Sequence, residues 1–167
     1  MTLEEDGVLS SDELARLPAI PSAERLKQGA VAVIECAQEI PCNPCEEACP
    51  AGAIQVGEAI TNLPVLASDQ CTGCGLCIPV CPGLAIFVVD VTYSDREATV
   101  QLPYEFLPLP EKGEFVTALD REGTPVCPAR VVNVRNPNRF DHTAVITIAI
   151  PKDQAMNVRN IALARRP

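Results

Sequence analysis

Residues 71–82 decide the fold: they read Cys71-Thr-Gly-Cys74-Gly-Leu-Cys77-Ile-Pro-Val-Cys81-Pro82. Cysteines separated by two, two and three residues indicate metal ligands, because this spacing lets one short loop wrap its thiolates around a single centre. Zinc is the weaker choice, since zinc sites usually use two well-separated C-x2-C pairs and do not need another cysteine two residues further on. The C-x2-C-x2-C-x3-C-P spacing favours an iron–sulfur cluster instead.

Two glycines lie inside this loop, at Gly73 and Gly75. Glycine tolerates positive φ and has no Cβ, so both positions suit a loop whose amides approach the inorganic sulfides of a cluster. Amide hydrogen bonds to sulfur would then tune the potential of the cluster. We therefore predict that Gly73 and Gly75 are cofactor-binding residues.

The preceding cysteine group is less regular: it reads Cys36-Ala-Gln-Glu-Ile-Pro-Cys42-Asn-Pro-Cys45-Glu-Glu-Ala-Cys49-Pro50. Standard spacing would place the first ligand at Glu39, three residues after Cys36. Cys36 can replace that ligand through a longer loop, and we predict that it does, because eight cysteines suit two four-iron clusters. The alternative is that Cys36 is a core residue at the end of the apolar run 31–34, which would leave this cluster short of a ligand.

The cysteine count argues against a disulfide framework. The chain has nine cysteines, eight of them in residues 36–81. Disulfide frameworks usually occur in secreted proteins that have an even number of cysteines. Residues 1–12 are acidic and lack the basic and then apolar pattern of a signal peptide. No apolar run approaches the roughly 20 residues of a membrane-spanning helix. We expect a soluble cytoplasmic protein without membrane insertion.

The composition excludes other classes of partner. The net charge is -9, and aromatic residues make up 4% of the chain, without tryptophan. Such a chain repels phosphate backbones and anionic lipid and has few rings on which bases could stack. Nucleic acid is therefore not an expected partner.

An internal repeat connects the two cysteine groups. Cys49-Pro-Ala-Gly-Ala-Ile54-Gln-Val56 aligns with Cys81-Pro-Gly-Leu-Ala-Ile86-Phe-Val88. With the regular second motif, this repeat makes residues 31–91 resemble the bacterial two-cluster 4Fe-4S ferredoxin family. The resemblance implies two 4Fe-4S clusters in a pseudo-twofold domain of short hairpins and short helices.

The resemblance also implies which cysteines bind each cluster. In this family the fourth cysteine of each motif ligates the other cluster. Carried over by position, one cluster is bound by Cys71, Cys74, Cys77 and Cys49, and the other by Cys36, Cys42, Cys45 and Cys81. Glu35, Glu39, Glu46 and Glu47 surround the first group, whereas residues 71–89 carry no charge. We expect the cluster bound by Cys36, Cys42 and Cys45 to be the more reducing one, because these acidic residues lower its potential.

The flanking segments predict an α+β chain in three parts. Residues 1–30 form an N-terminal arm, with a short helix from Ser11 to Leu17 and then an extended linker at Pro18 and Pro21. Residues 31–91 form the cluster domain, with strands at 30–34 and 86–91. Residues 92–167 form a small mainly-β domain with strands at 98–102, 114–119, 129–134 and 143–150, and with a hairpin turn at 120–123. The proline-rich residues 102–110 should connect strands rather than join a central one.

The end of the chain predicts a helix from Pro151 to about Leu163, because proline and an acidic residue suit a first turn. Arg159, Arg165 and Arg166 make this tail basic, which suits a solvated terminus or an acidic groove on a partner. Cys127 is interpreted as a small buried side chain rather than a ligand, and His142 as a loop residue rather than a base.

These patterns predict electron transfer. A cluster held by four thiolates has no open iron, and no catalytic motif is present. Residues 1–30 and 92–167 exceed what a cluster domain needs, which favours a small subunit of a hetero-oligomeric oxidoreductase. The chain loosely resembles the iron–sulfur component of flavin-dependent amine or amino-acid dehydrogenases, which implies FAD or FMN on a partner flavoprotein. The alternatives are a free soluble ferredoxin and an iron–sulfur redox sensor.

Overall fold

The computed structural model describes residues 3–163. Within them the helices are single turns, and none is long and apolar enough to cross a membrane. Turns of 3-10 helix cover Ser68–Gln70, Asn138–Phe140 and Lys152–Gln154. The helices are α1 (Leu3–Asp6), α2 (Ser11–Leu14), α3 (Ala23–Leu26) and α4 (Pro44–Glu47), and the strands are β1 (Val31–Ile34), β2 (Ile54–Gln55), β3 (Val65–Leu66), β4 (Ile86–Asp90), β5 (Glu97–Tyr104), β6 (Phe115–Leu119), β7 (Pro125–Arg135), β8 (Ala144–Pro151) and β9 (Asn160–Ala162).

Seven strands form one antiparallel sheet in the order β1-β4-β5-β8-β7-β6-β9, and β2 pairs separately with β3. β1 and β4 lie on either side of the cysteine region in the sequence and pair from Val31 with Val89 to Ile34 with Ile86. β4 also pairs with β5. The sheet therefore runs across the boundary expected at residue 91, and strands from both sides of that boundary belong to it.

The sheet buries both of its faces, because successive side chains of a strand point in opposite directions. One face forms a cysteine-side core together with the cysteine loops, and the other forms a separate sheet core. The cysteine-side core contains Ala19, Ala32, Ile34, Ile54, Cys77, Ile78, Ile86, Val88, Phe140 and Val145. The sheet core contains Val33, Phe87, Val89, Ala98, Val100, Leu102, Tyr104, Val116, Ala118, Ala129, Val131, Ala144, Ile146, Ile148, Ile150, Ala155, Val158 and Ile161.

The four strands predicted after residue 92 are present. β5 and β7 are longer than predicted, β6 begins one residue later, and β8 is shifted by one residue. The turn between β6 and β7 is closed by hydrogen bonds from Asp120 N to Thr124 O and from Gly123 N to Asp120 O. The prediction that residues 102–110 connect strands rather than join a central one is wrong for Pro103 and Tyr104, which extend β5 beyond the strand predicted at 98–102. β4 pairs with β5 only as far as Gln101, so β5 has a single neighbour at Pro103, where the missing N–H is tolerated.

The predicted C-terminal helix is wrong. Its first turn exists as the 3-10 turn after Pro151, but the chain then enters β9, which pairs with β6. Val158 and Ile161 are buried in the sheet core, so tertiary packing overrides the local helix signals. Arg159 is also buried rather than part of a solvated tail, and Arg165 and Arg166 lie outside the described residues.

The N-terminal arm packs on the cysteine side of the molecule. Ser10, not Ser11, caps α2, and Glu13 completes a capping box with it. The pKa of Glu13 is lowered to about 2, because its carboxylate accepts hydrogen bonds from the backbone of Leu3 and Ser10 and from the Ser10 hydroxyl. In place of the expected extended linker, Pro18 and Ala19 form a turn. Ala19 is buried, and its carbonyl accepts a hydrogen bond from Ile34 N.

Candidate metal centres

Four cysteines line one cavity of about 420 Å³, which we call centre 1. Cys36 follows β1, and Cys45 lies in α4. Cys42 lies in the loop between them, and its backbone N–H donates to Ile60 O. Cys81 comes from the other motif. The longer loop after Cys36 thus brings it to the same cavity as the other three. Centre 1 is the set Cys36, Cys42, Cys45 and Cys81.

The other four cysteines line a second, narrow cavity of about 20 Å³, which we call centre 2. Cys77 is buried, whereas Cys74 is exposed. Centre 2 is the set Cys49, Cys71, Cys74 and Cys77.

The thiols of each set influence one another electrostatically. Burial, followed by the charges of Cys81 and Cys42, raises the pKa of Cys36. Burial raises the pKa of Cys45 to about 11, with Cys81 as the next cause. Burial and the charges of neighbouring cysteines raise the pKa of Cys77 to about 12. Thiolates packed this closely need a cationic, sulfur-preferring group between them.

The donor atoms around each cavity suit a multi-iron group. The thiols surround two cavities, four on each. Four thiolates are the donor set of a 4Fe-4S cluster, whose irons are spread over the corners of a cube.

Backbone amides donate to three of the cysteine sulfurs. Ala53 N lies 3.2 Å from Cys49 Sγ, and Ala85 N lies 3.5 Å from Cys81 Sγ. These two bonds occupy equivalent places in the C-P-x-x-A-I repeat, so the repeat in sequence is also a repeat in sulfur environment. Ala32 N adds a third bond, 3.4 Å long, to Cys71 Sγ. Such bonds stabilise thiolate charge.

Gly73 and Gly75 both have positive φ, +67° and +71°, as the sequence indicated. Neighbouring atoms also limit the space for a side chain at each of these positions. A Cβ on Gly73 would lie 2.5 Å from Ala30 Cβ, and one on Gly75 would lie 2.5 Å from Gln101 Oε1. Close packing against the Cβ and backbone of Ala30, just before β1, therefore requires glycine at position 73, whereas at position 75 the neighbours are ends of flexible side chains and the positive φ is the stronger reason.

Side chains far away in the sequence hold the loop of centre 2. Gln101 Nε2 donates to Gly73 O at 3.3 Å, and Arg135 Nη1 donates to Cys74 O at 3.1 Å. On the other side Arg25 donates to four backbone carbonyls, including Cys71 O at 2.9 Å. Sequence reasoning missed these three residues, because no local spacing marks a contact made across β5 and β7.

The acidic surroundings expected for centre 1 are partly neutralised. The Glu35 side chain is 7% exposed and pairs with Arg159 at 2.6 Å and with Arg121 at 2.5 Å. The Arg159 guanidinium lies 4.9 Å from the Phe87 ring centroid. Glu46 accepts a hydrogen bond from Val56 N. Glu35 therefore does not act as a free negative charge beside Cys36.

The two remaining candidates lie away from both centres. Cys127 is half-buried on β7 and lines a shallow depression with Phe115 and Val126, and burial raises its pKa. His142 is exposed in the loop before β8 with φ +71°. Neither side chain lines either cysteine cavity.

Comparison with protein families identifies the cysteine region. Residues 40–85 match the 4Fe-4S dicluster domain family. The match includes seven of the eight clustered cysteines and begins four residues after Cys36. Cys36 lies outside the matched residues, and it is the fold that places it at centre 1.

Two relatives agree with this domain. The chain is 45% identical over 47 residues, 28% of its length, to a component of the ion-translocating oxidoreductase complex of Methanosarcina acetivorans. It is 35% identical over 78 residues, 42% of its length, to an uncharacterized ferredoxin of Methanocaldococcus jannaschii. The alignments span 17% and 45% of these proteins, less than half of each. No solved structure matches the chain. The cysteine region is therefore similar to iron–sulfur ferredoxin domains.

Proposed function

We propose that the chain binds two 4Fe-4S clusters, one at centre 1 and one at centre 2, and passes electrons one at a time between them and external partners. The observation that carries this proposal is the division of eight cysteines into two sets of four. Each set takes three cysteines from one motif and the fourth from the other. This cross-connection is the pattern of two-cluster ferredoxins.

The residues of the chain bind, shield and tune the clusters rather than react at them. Four thiolates per cluster leave no iron position open, so the clusters supply one-electron chemistry without a substrate site. Ala32, Ala53 and Ala85 donate amide hydrogen bonds to ligand sulfurs. The cysteine-side core excludes water from the inner side of both centres. The role of the chain is therefore electron transfer rather than catalysis.

We further propose that the chain works as a subunit of a multi-subunit oxidoreductase, with flavin on a partner flavoprotein. Two features support a subunit over a free ferredoxin. The cysteine region is similar to a component of an oxidoreductase complex, and the β5–β6 region exposes Phe106, Leu107 and Phe115 by 64%, 86% and 67%. The redox-sensor alternative predicts labile, incompletely ligated iron, and its support is the irregular spacing of Cys36. That Cys36 lines the cavity of centre 1 with three other cysteines favours electron transfer over this alternative.

Anaerobic purification from the native cell, without a tag, tests both parts. Iron, sulfide and flavin are counted in the intact particle. We expect about eight irons per chain, together with flavin and larger chains. Eight irons on a lone monomer would support the free ferredoxin, and about four irons would contradict the two-cluster assignment.

A further inference from the structure

Two arginines form a cationic rim beside centre 2. Arg135, at the end of β7, and Arg139, in the following turn, both place their guanidinium groups over the ring of Phe140, at 5.8 Å and 5.5 Å from its centroid. Phe140 is buried in the cysteine-side core. The ring therefore fixes both cations against the core that packs on the cysteines.

The rim is attached to the most accessible cysteine. Cys74 is exposed, whereas the other seven clustered cysteines are half-buried or buried. Arg135 Nη1 donates to Cys74 O at 3.1 Å, and Arg135 Nη2 donates to Gln101 Oε1 at 2.7 Å. The Arg135 guanidinium is thus held at the backbone of Cys74, the exposed cysteine of centre 2.

No carboxylate neutralises this rim. Within residues 3–163, no carboxylate oxygen lies within 4 Å of a guanidinium nitrogen of Arg135 or Arg139. Asp141 follows Phe140 in the chain without pairing with either of them. Burial lowers the pKa of Arg135; the Cys74 thiolate acts against this, and the charge of Arg139 adds to it. An uncompensated pair of cations is unexpected in a chain of net charge -9.

Centre 1 offers no such surface. Leu3, Val8 and Leu9 of the N-terminal arm line its cavity, so the arm covers this side. Its two arginines, Arg121 and Arg159, are bound to Glu35. The two centres therefore differ in access and in local charge.

We propose that the surface formed by Cys74, Arg135, Arg139 and Phe140 is the docking surface at which centre 2 exchanges electrons with an acidic redox protein. This inference rests on the proposed function, because it needs a cluster at centre 2. One electron leaves the reduced centre 2, which is oxidised, and enters the redox group of the partner, which is reduced; the reverse step loads the centre. Opposite charge speeds association and orients the partner, and salt weakens this effect.

Two small oxidants of opposite charge test the surface on the intact, cluster-loaded protein. Hexacyanoferrate(III) is an anion and hexaamminecobalt(III) a cation, and each accepts one electron. Stopped-flow absorbance follows oxidation of the pre-reduced clusters at low and high salt. The variant is Arg139→Glu, because Arg139 is exposed and lies outside the hydrogen bonds that hold the centre 2 loop.

The control is Arg96→Glu, an exposed arginine with the same charge change. Arg96 precedes Glu97, which pairs with Pro151, whereas Arg135 pairs with Val145, so the two positions lie toward opposite ends of β8. We expect Arg139→Glu to slow oxidation by hexacyanoferrate(III) about fivefold at low salt and to speed oxidation by hexaamminecobalt(III). Arg96→Glu should change neither rate by more than about twofold.

Iron and sulfide are counted in every protein before the kinetics. A wild-type protein that fails to hold about eight irons would contradict the proposed function itself. If all the proteins are fully loaded, but Arg139→Glu and Arg96→Glu have the same oxidation rates with both oxidants, the docking surface is overturned and the proposed function is left intact. The docking surface would also be overturned if salt changed the oxidation rate of Arg139→Glu as much as it changes that of the wild-type protein.

Discussion

Glu35 and Arg159 form a buried ion pair 2.6 Å long across 124 positions of sequence. Glu35 directly precedes Cys36 of centre 1, and Arg159 directly precedes β9. β1 and β9 are the first and last strands of the sheet order. The pair therefore ties the two ends of the sheet together beside centre 1, and Arg121 from the β6–β7 turn joins the same carboxylate.

Replacing Glu35 by Gln should destabilise the protein strongly. The change leaves Arg159 buried without its carboxylate, and breaking a buried ion pair from one side costs about 3 kcal/mol or more. The measurement is the midpoint of anaerobic urea unfolding, followed by circular dichroism. Glu97→Gln is the matched control, because Glu97 pairs with Arg130 at the surface, at 3.6 Å. We expect less than about 1 kcal/mol for that variant, and equal losses in the two variants would contradict this interpretation.

Replacing Cys36 by Ser should damage centre 1 selectively. Cys36 lines that cavity with three other cysteines, and its removal leaves the proposed cluster with three protein thiolates. Iron analysis and electron paramagnetic resonance of the reduced protein should show one intact cluster and one that is lost or altered. Cys127→Ser is the control, because Cys127 lies on β7 away from both cavities. A Cys36→Ser protein that keeps eight irons and the wild-type spectrum would show that Cys36 is not a ligand.

Replacing Gly73 by Ala should disturb the loop of centre 2. The new Cβ would lie 2.5 Å from Ala30 Cβ and 2.8 Å from Ala30 O, in a residue with φ +67°. Gly113→Ala separates backbone strain from the clash, because Gly113 has φ +89° and open space around its Cβ position. We expect the control to lose about 1 kcal/mol with full iron content, and Gly73→Ala to lose iron from one cluster. Equal iron content in the two variants would contradict the predicted clash.

Removing the charge of Arg135 should lower the potential of one cluster. Arg135→Gln takes away a cation held at Cys74 O, so adding an electron to centre 2 becomes less favourable. A tenfold change in the reduction equilibrium corresponds to about 59 mV for one electron, and we expect a shift of that order in one of two steps. Arg135→Lys keeps the charge and should shift less. A redox titration in which neither step moves would contradict this prediction.

Removing iron should unfold the cysteine loops and leave the larger sheet folded. The loops from Cys36 to Cys81 pack around the two cavities, and structural metal groups supply folding energy to the loops that bind them. The sheet core, by contrast, is built from β-strand side chains on the opposite face. Hydrogen exchange after chelation should therefore show rapid exchange at Cys42 and Ala53 and retained protection at Val100 and Ile148. Simultaneous loss of protection at all four amides would mean that the two cores unfold as one.

The C-terminal segment shows where local patterns stop being informative. Pro151 and Asp153 correctly indicate a turn, but the helix expected after them does not form, because β6 offers an edge to Asn160–Ala162 and the sheet core receives Ile161. Pro103 shows the reverse case. A proline that argues against a central strand is accommodated because the pairing of β5 with β4 ends at Gln101.

The sequence by itself determined which cysteines of this protein are candidates for binding clusters. Cysteine spacing is a local property, and the repeated C-P-x-x-A-I segment places equivalent amides on Cys49 and Cys81 wherever the rest of the chain lies. Only the tertiary structure decided the electrostatic setting of each centre. Glu35 meets Arg159, and Cys74 meets Arg135, because strands distant in sequence pair in one sheet, and such long-range contacts leave no trace in local spacing.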